Sequence, residues 1–153
     1  MPPGAFVHIG EQLAETTKIT ILDYDECRTA ERSISIDDLT PPPRERAGVT
    51  WIHVDGIHDV EVLEKLGRKF GIHPLVIEDI LNTDQRPRAE DFIDYIFIVL
   101  KNIHNHVDQN LHVDQISIIL GKNFVISFQE REGALFDPIR EKLRTSKGKI
   151  RKA

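Results

Sequence analysis

Residues 71–105 read GIHPLVIEDILNTDQRPRAEDFIDYIFIVLKNIHN, and how this stretch divides decides the fold. Pro74 suits the first position of a helix, where its missing N–H costs no hydrogen bond. At about 100° per residue, Val76, Ile77, Ile80 and Leu81 then share one face, and Glu78 and Asp79 lie side by side on the other. Asn82-Thr83-Asp84 stops the helix. Gln85-Arg86-Pro87-Arg88 reads as an extended link, because Pro87 biases Arg86 away from helical backbone. Residues 95–100, YIFIVL, form an unbroken apolar run rich in β-branched and aromatic side chains. Such a run predicts a central strand covered on both faces, with Ile96, Ile98 and Leu100 on one side and Phe97 and Val99 on the other.

Towards the N-terminus, residues 60–70 carry a buried stripe of Val62, Leu63, Leu66 and Phe70. Asp59 is placed to cap that helix, and Gly71 to end it in left-handed backbone. Residues 49–54 (VTWIHV) and 18–24 (KITILDY) read as strands. Residues 32–36 (RSISI) read as a hairpin partner of the latter across a loop at 25–31. Residues 1–16 give no strong signal, and Thr40-Pro41-Pro42-Pro43 is a breaker. Towards the C-terminus, a turn at 107–110 leads to a strand at 111–120. Gly121-Lys122 supplies a hairpin turn, and residues 123–128 return with Phe124, Ile126 and Phe128 on one face. Asp137-Pro138 starts a last helix that runs into a basic end. Six or seven strands joined partly by hairpins and partly by helices imply an α/β fold, a mixed sheet with helices packed on it.

The 153 residues suffice for one domain with a sizeable core, and 40% hydrophobic with 29% charged residues is ordinary for a globular protein. The net charge of −5 is unevenly placed. Six basic and no acidic residues follow position 141, so residues 1–141 carry 14 basic against 25 acidic side chains. An acidic body argues against nucleic acid, whose binding rests on neutralised phosphates. One cysteine, Cys27, excludes a disulfide framework within the chain. The longest apolar run is far short of the ~20 residues that span a bilayer. There is no phosphate-cradling glycine loop and no nucleophile elbow.

Three groups of side chains could carry chemistry. Glu78 and Asp79 are hard oxygen donors on a rigid helix. An exposed pair of this kind could supply half of a divalent-cation site, with a solvated polar face as the plainer reading. His104, His106 and His112, with Asp108 and Asp114 nearby, would suit Zn²⁺, Co²⁺ or Ni²⁺ if a hairpin end gathered them, with a wet polar turn as the plainer reading. Glu90, Asp91 and Asp94 could do acid–base work, but nothing else in the chain builds a substrate site around them. Cys27 has no histidine placed to activate it.

GIHPLVIEDIL, the QRPR link and DYIFIVLKN resemble the N-terminal cytoplasmic domain of the CorA family of magnesium and cobalt transport proteins. QISIILGKNFVISFQE and GALFDPIREKLR resemble the same family in the same order, so the resemblance covers about residues 17–153. It implies an αβα sandwich around a central mixed sheet of about six or seven strands. It also implies a single domain over 1–145, with 146–153 as the basic start of a longer helix leading to transmembrane helices absent from this sequence. In the family the Glu-Asp pair at this place contributes to regulatory sites between subunits. Asp79 is therefore the main candidate ligand for Mg²⁺, and also for Co²⁺, with Glu78 second. The remaining acids would come from later helices and a neighbouring subunit. The resemblance further implies a pentamer of identical subunits, a place on the cytoplasmic side of the cell membrane, and no enzymatic activity. The rivals are the equivalent domain of a zinc-transporting relative, a carboxylate-based hydrolase using Glu90, Asp91 and Asp94, and a scaffold whose acidic face binds a basic partner. Deleting residues 146–153 is expected to leave the melting temperature essentially unchanged, because that polar segment has little of its own to bury. A large drop on truncation, read by circular dichroism, would show that it docks on the domain.

Overall fold

Alternating side chains give each strand one face to bury, and here they assemble a single twisted sheet. The computed structural model describes residues 17–105, 110–131 and 133–145. The elements run β1 (Lys18–Tyr24), β2 (Thr29–Ile34), β3 (Val49–Asp55), α1 (Val60–Phe70), α2 (Pro74–Leu81), β4 (Arg88–Asp91), β5 (Tyr95–Asn105), β6 (Leu111–Gly121), β7 (Phe124–Gln129) and α3 (Asp137–Thr145). The seven strands lie in the order β2-β1-β3-β7-β6-β5-β4. Among the described residues β3 and β7 are the parallel pair, and the other neighbours are antiparallel.

Helices α1 and α2 cover one face of the sheet. Ile52, Val54, Phe97, Val99, Ile119, Ile126 and Phe128 point up from the strands to meet Leu63, Leu66, Val76, Ile77, Ile80 and Leu81. The caps are those the sequence implies. The Asp59 side chain accepts a hydrogen bond from Val62 N–H, and Gly71 closes α1 at φ 66°, a left-handed geometry that suits glycine. Pro74 opens α2. A Cβ at Gly67 would stand 2.8 Å from the side chain of Ile77, so α1 and α2 approach closely only because that position is glycine.

Helix α3 covers part of the opposite face. Its Leu143 packs with Leu22 and Trp51, and Tyr24, Val125 and Phe136 close around them. The layering is therefore αβα, with the second helical layer over β1, β3 and β7.

That incomplete layer overturns the expected two-sided burial of residues 95–100. Phe97 and Val99 are fully buried, but Ile96 and Ile98 are only half-buried and Leu100 is 46% exposed. Nor is β5 central: it lies next to the edge strand β4. Its run stays apolar on both sides although α1 and α2 cover only one of them. Two further boundaries differ. The loop before β2 is shorter than expected and the strand is Thr29–Ile34, because the Asp25 carboxylate accepts from the N–H groups of Cys27 and Arg28 at 2.7 Å and folds the chain tightly back. The link after α2 gives way at Arg88 to the short strand β4. A four-residue charged edge strand has no apolar pattern to announce it. Residues 106–109 and 146–153, which hold His106, Asp108 and the basic tail, lie outside the described residues.

The unequal faces predict unequal costs. Phe97→Ala should destabilise by about 3–5 kcal/mol, whereas Leu100→Ala should cost about 1 kcal/mol or less, measured by urea denaturation. Equal losses would mean that both faces of β5 are covered.

Candidate functional site

The acidic pair stands on α2, so what holds α2 fixes the site. At its start, the His73 ring nitrogen Nδ1 accepts from Leu75 N–H at 3.1 Å, and the His73 N–H donates to the Tyr95 hydroxyl at 3.0 Å. At its end, helical carbonyls lack partners in their own helix. The buried side chain of Gln115, on β6, meets that need: its Nε2 donates to Asn82 O at 2.9 Å. Its Oε1 accepts from Gln85 N–H and from Lys101 Nζ, both at 3.0 Å, and Lys101 Nζ also donates to Thr83 O at 3.0 Å. Both ends of α2 are thus tied to the β5–β6 hairpin.

Glu78 and Asp79 are both half-buried at the edge of this assembly rather than fully in solvent. As neighbours on a helix they diverge by about 100° and do not face each other. Asp79 Oδ2 accepts a hydrogen bond from Arg88 Nη2 at 2.7 Å. Arg88 lies on β4, whose alternation puts it on the α2 side of the sheet. Its Nε donates to Glu90 Oε1 at 2.5 Å and its Nη1 to Gln85 Oε1 at 2.8 Å. Its guanidinium carbon sits 5.4 Å from the centre of the Phe97 ring. The Glu78 carboxylate makes no side-chain hydrogen bond or ion pair among the described residues. The donor set is chemically right for a hard cation, which takes carboxylate oxygen. One domain nonetheless presents few oxygens, in two directions, with an arginine already on one of them. By themselves these two carboxylates do not surround a cation.

The histidine group comes together in part. His104 and His112 pair across β5 and β6 with their rings 6.0 Å apart and nearly parallel. His104 Nε2 stands 3.6 Å from Asp114 Oδ2, but Arg131 holds both oxygens of Asp114, through Nε at 3.3 Å and Nη2 at 2.9 Å. Among the described residues no three His, Cys, Asp or Glu side chains are grouped to hold a metal ion. Glu90, Asp91 and Asp94 do not converge. Strand alternation sends Glu90 and Asp91 to opposite faces of β4, Glu90 is held by Arg88, and Asp94 pairs with Arg44 at 3.3 Å. Cys27 is exposed.

Two polar clusters escaped the sequence reading. Trp51, His53 and Asp55 share the α3 face of β3, beside Ser127 and Gln129 of β7. Trp51 Nε1 donates to Ser127 Oγ at 2.8 Å, Ser127 Oγ lies 2.6 Å from His53 Nδ1, and His53 Nε2 lies 2.9 Å from Asp55 Oδ1 and 2.8 Å from Gln129 Oε1. Ser, His and Asp in contact suggest a nucleophile, but all are buried, Phe136 covers His53 at 5.1 Å, and the indole already donates to the hydroxyl. The cluster is a satisfied network inside the fold. The polar residues at every second position of β3 were its available signal. The second cluster is Glu130 with Gln115, Lys101 and Thr83. Glu130 Oε2 accepts the Gln115 N–H at 3.1 Å, and burial, with Asp114 adding like charge, raises its pKa above the usual carboxylate value.

Comparison with known proteins bears on the chain as a whole. Residues 46–153 match the family described as CorA-like Mg²⁺ transporter protein. The chain is 43% identical over 155 aligned residues, 99% of its length, to the cobalt/magnesium transport protein CorA of Thermotoga maritima, and spans 43% of that protein's length. Its fold is similar to the soluble domain of CorA from Methanocaldococcus jannaschii, with TM-score 0.57 and 19% identity over 82% of this chain and 46% of that one. It is also similar to the ZntB cytoplasmic domain from Vibrio parahaemolyticus, with TM-score 0.60 and 18% identity over 85% and 51% of the respective chains. At those identities the two structures bear on the fold alone.

The raised pKa of Glu130 has a measurable sign. The folded state binds its proton more tightly than the unfolded chain, so its charge costs stability as pH rises from the usual glutamate range through the raised value. Glu130→Gln is therefore expected to gain most relative to wild type near neutral pH, and the gain should shrink as the pH falls towards 4. Paired thermal melts across pH check this, and a gain that grows on acidification would contradict it.

Proposed function

The chain belongs to the family of CorA-like Mg²⁺ transporter proteins, and from that premise we propose that it is the regulatory domain of a Mg²⁺ or Co²⁺ transport protein. The observation that carries this reading is the 43% identity along 99% of the chain to a cobalt/magnesium transport protein more than twice as long. The domain lies on the cytoplasmic side of the membrane and senses divalent cations there. Among the described residues no helix is long and apolar enough to cross a membrane. The identity to a cobalt/magnesium transporter favours these ions over zinc, since the ZntB likeness bears on the fold alone.

Asp79 is the principal ligand and Glu78 the second, at sites between identical subunits in a ring of five. A bound divalent cation supplies positive charge between two acidic surfaces. The chain's own residues do the rest. α2, tied to the sheet at both ends, holds the two carboxylates at fixed positions. Without compensation these carboxylates repel the acids of the neighbouring subunit and loosen the ring, which shifts the population towards the conducting state. Covalent chemistry has no part in this.

A single domain should bind Mg²⁺ weakly, because two diverging carboxylates in a high dielectric give a strongly hydrated ion little to exchange its waters for. Calorimetry of the 153-residue chain should give no better than millimolar binding, reduced further in Asp79→Asn. Micromolar stoichiometric binding that vanishes in the variant would overturn the shared-site reading. In the complete transporter, Asp79→Asn should lessen the protection that Mg²⁺ gives against proteolysis.

A further inference from the structure

We propose that Arg88 is the resident counter-ion of Asp79, which a divalent cation has to replace, so that Arg88 sets the cation threshold of the site. This deepens the reading above and rests on Asp79 being a cation ligand.

The geometry is that of a built clamp. Nη2 of Arg88 reaches Asp79 Oδ2 at 2.7 Å, while Nε holds Glu90 Oε1 at 2.5 Å and Nη1 holds Gln85 Oε1 at 2.8 Å. The guanidinium lies over the Phe97 ring, and 27% of the Arg88 side chain is exposed, against 37% for Asp79. Arginine's planar fork engages three acceptors in fixed directions, which a lysine at the same place cannot do.

Two consequences follow. A cation seated on Asp79 would meet a fixed positive charge a few ångströms away, and the two repel. The arginine therefore weakens the site for Mg²⁺ relative to a bare carboxylate. Second, Arg88 can release Asp79 without being stranded, because Glu90, Gln85 and the Phe97 face still hold it. The exchange leaves no unpaired charge behind, since one cation replaces another on Asp79. The elements that feel the exchange are also fixed. Gln85 lies on the loop leaving α2 and its N–H is tied to Gln115, while Arg88 and Glu90 lie on the edge strand. Occupation of Asp79 is thus read by the α2–β4 connection of the same domain.

The test is a titration of the isotopically labelled 153-residue chain with MgCl₂ at constant ionic strength, followed by NMR. The affinity is read from the α2 amides, and the Arg88 side-chain Nε–H signal is followed directly. Arg88→Gln should bind Mg²⁺ about fivefold more tightly, the size expected from removing one charge near a divalent ion in screened solvent. Arg88→Lys, which keeps the charge, should stay within about twofold of wild type. In wild type the Arg88 Nε–H signal should move with Mg²⁺ occupancy, and this response should disappear in Asp79→Asn. A merely structural Arg88 would lower the melting temperature in both variants and leave the affinity unchanged or weaker. If Asp79→Asn weakens binding but Arg88→Gln does not strengthen it, the counter-ion proposal fails and the Asp79 site stands. If Asp79→Asn leaves binding unchanged, the site reading fails and the proposal falls with it. Should Arg88→Gln not fold, the wild-type Arg88 signal decides, and a signal that ignores saturating Mg²⁺ overturns the proposal.

Discussion

The burial of one sheet face against α1 and α2 is the constraint on which the other features rest. Phe97, Val99, Ile119 and Ile126 from the strands and Leu63, Leu66, Ile80 and Leu81 from the helices are all fully buried. Removing that much apolar surface from water is the dominant favourable term. It also sets a polar obligation, because it brings the end of a short helix down onto the sheet, where its last carbonyls need donors. Gln115 and Lys101 supply them from within the hairpin. Gln115 of β6 and Lys101 of β5, polar side chains in otherwise apolar strands, thus help lock the end of α2 to the sheet.

The position of the acidic pair follows from the same packing. Four of the eight residues of α2 go into the core, and the helix meets the sheet near its β4 edge, so Glu78 and Asp79 lie at the boundary between the layer and solvent. Strand β4 runs beside β5 with Arg88 and Glu90 on that same side. An acidic residue on a helix and a basic residue on an edge strand, nine positions apart, become an ion pair through tertiary packing. The charge at the site is therefore a property of two elements. In the regulatory role proposed above, the strength with which Asp79 would attract a cation depends on what else holds it.

The opposite face is built differently. Its apolar contacts under α3 surround a buried polar string from Trp51 through Ser127 and His53 to Asp55 and Gln129. Hydrogen-bonded throughout, that string costs little and fixes the register of β3 on β7. Beyond the reach of α3 the same face stays partly open, which is why alternate residues of β5 are apolar yet incompletely buried.

Much of this protein was settled by local sequence. The helix over Pro74–Leu81, its buried face of Val76, Ile77, Ile80 and Leu81, the Asp59 and Gly71 caps and the hairpin turn after β6 all depend on neighbours within a few residues, and periodicity and turn chemistry report those directly. The family, too, was legible, because its motifs are runs of adjacent residues in a fixed order. Tertiary structure alone decided the rest. Apolar composition could not show that Leu100 faces solvent, since coverage is set by how far α3 reaches. A charged four-residue strand could not reveal that it closes the sheet edge, since its only support is a ladder with β5. Nor could spacing foretell that Arg88 would hold Asp79, or that His53 would sit among Ser127, Asp55 and Gln129. These contacts join residues that are distant or oppositely placed along the chain, and only the pairing of β4 with β5 and of β3 with β7 brings them within hydrogen-bonding distance.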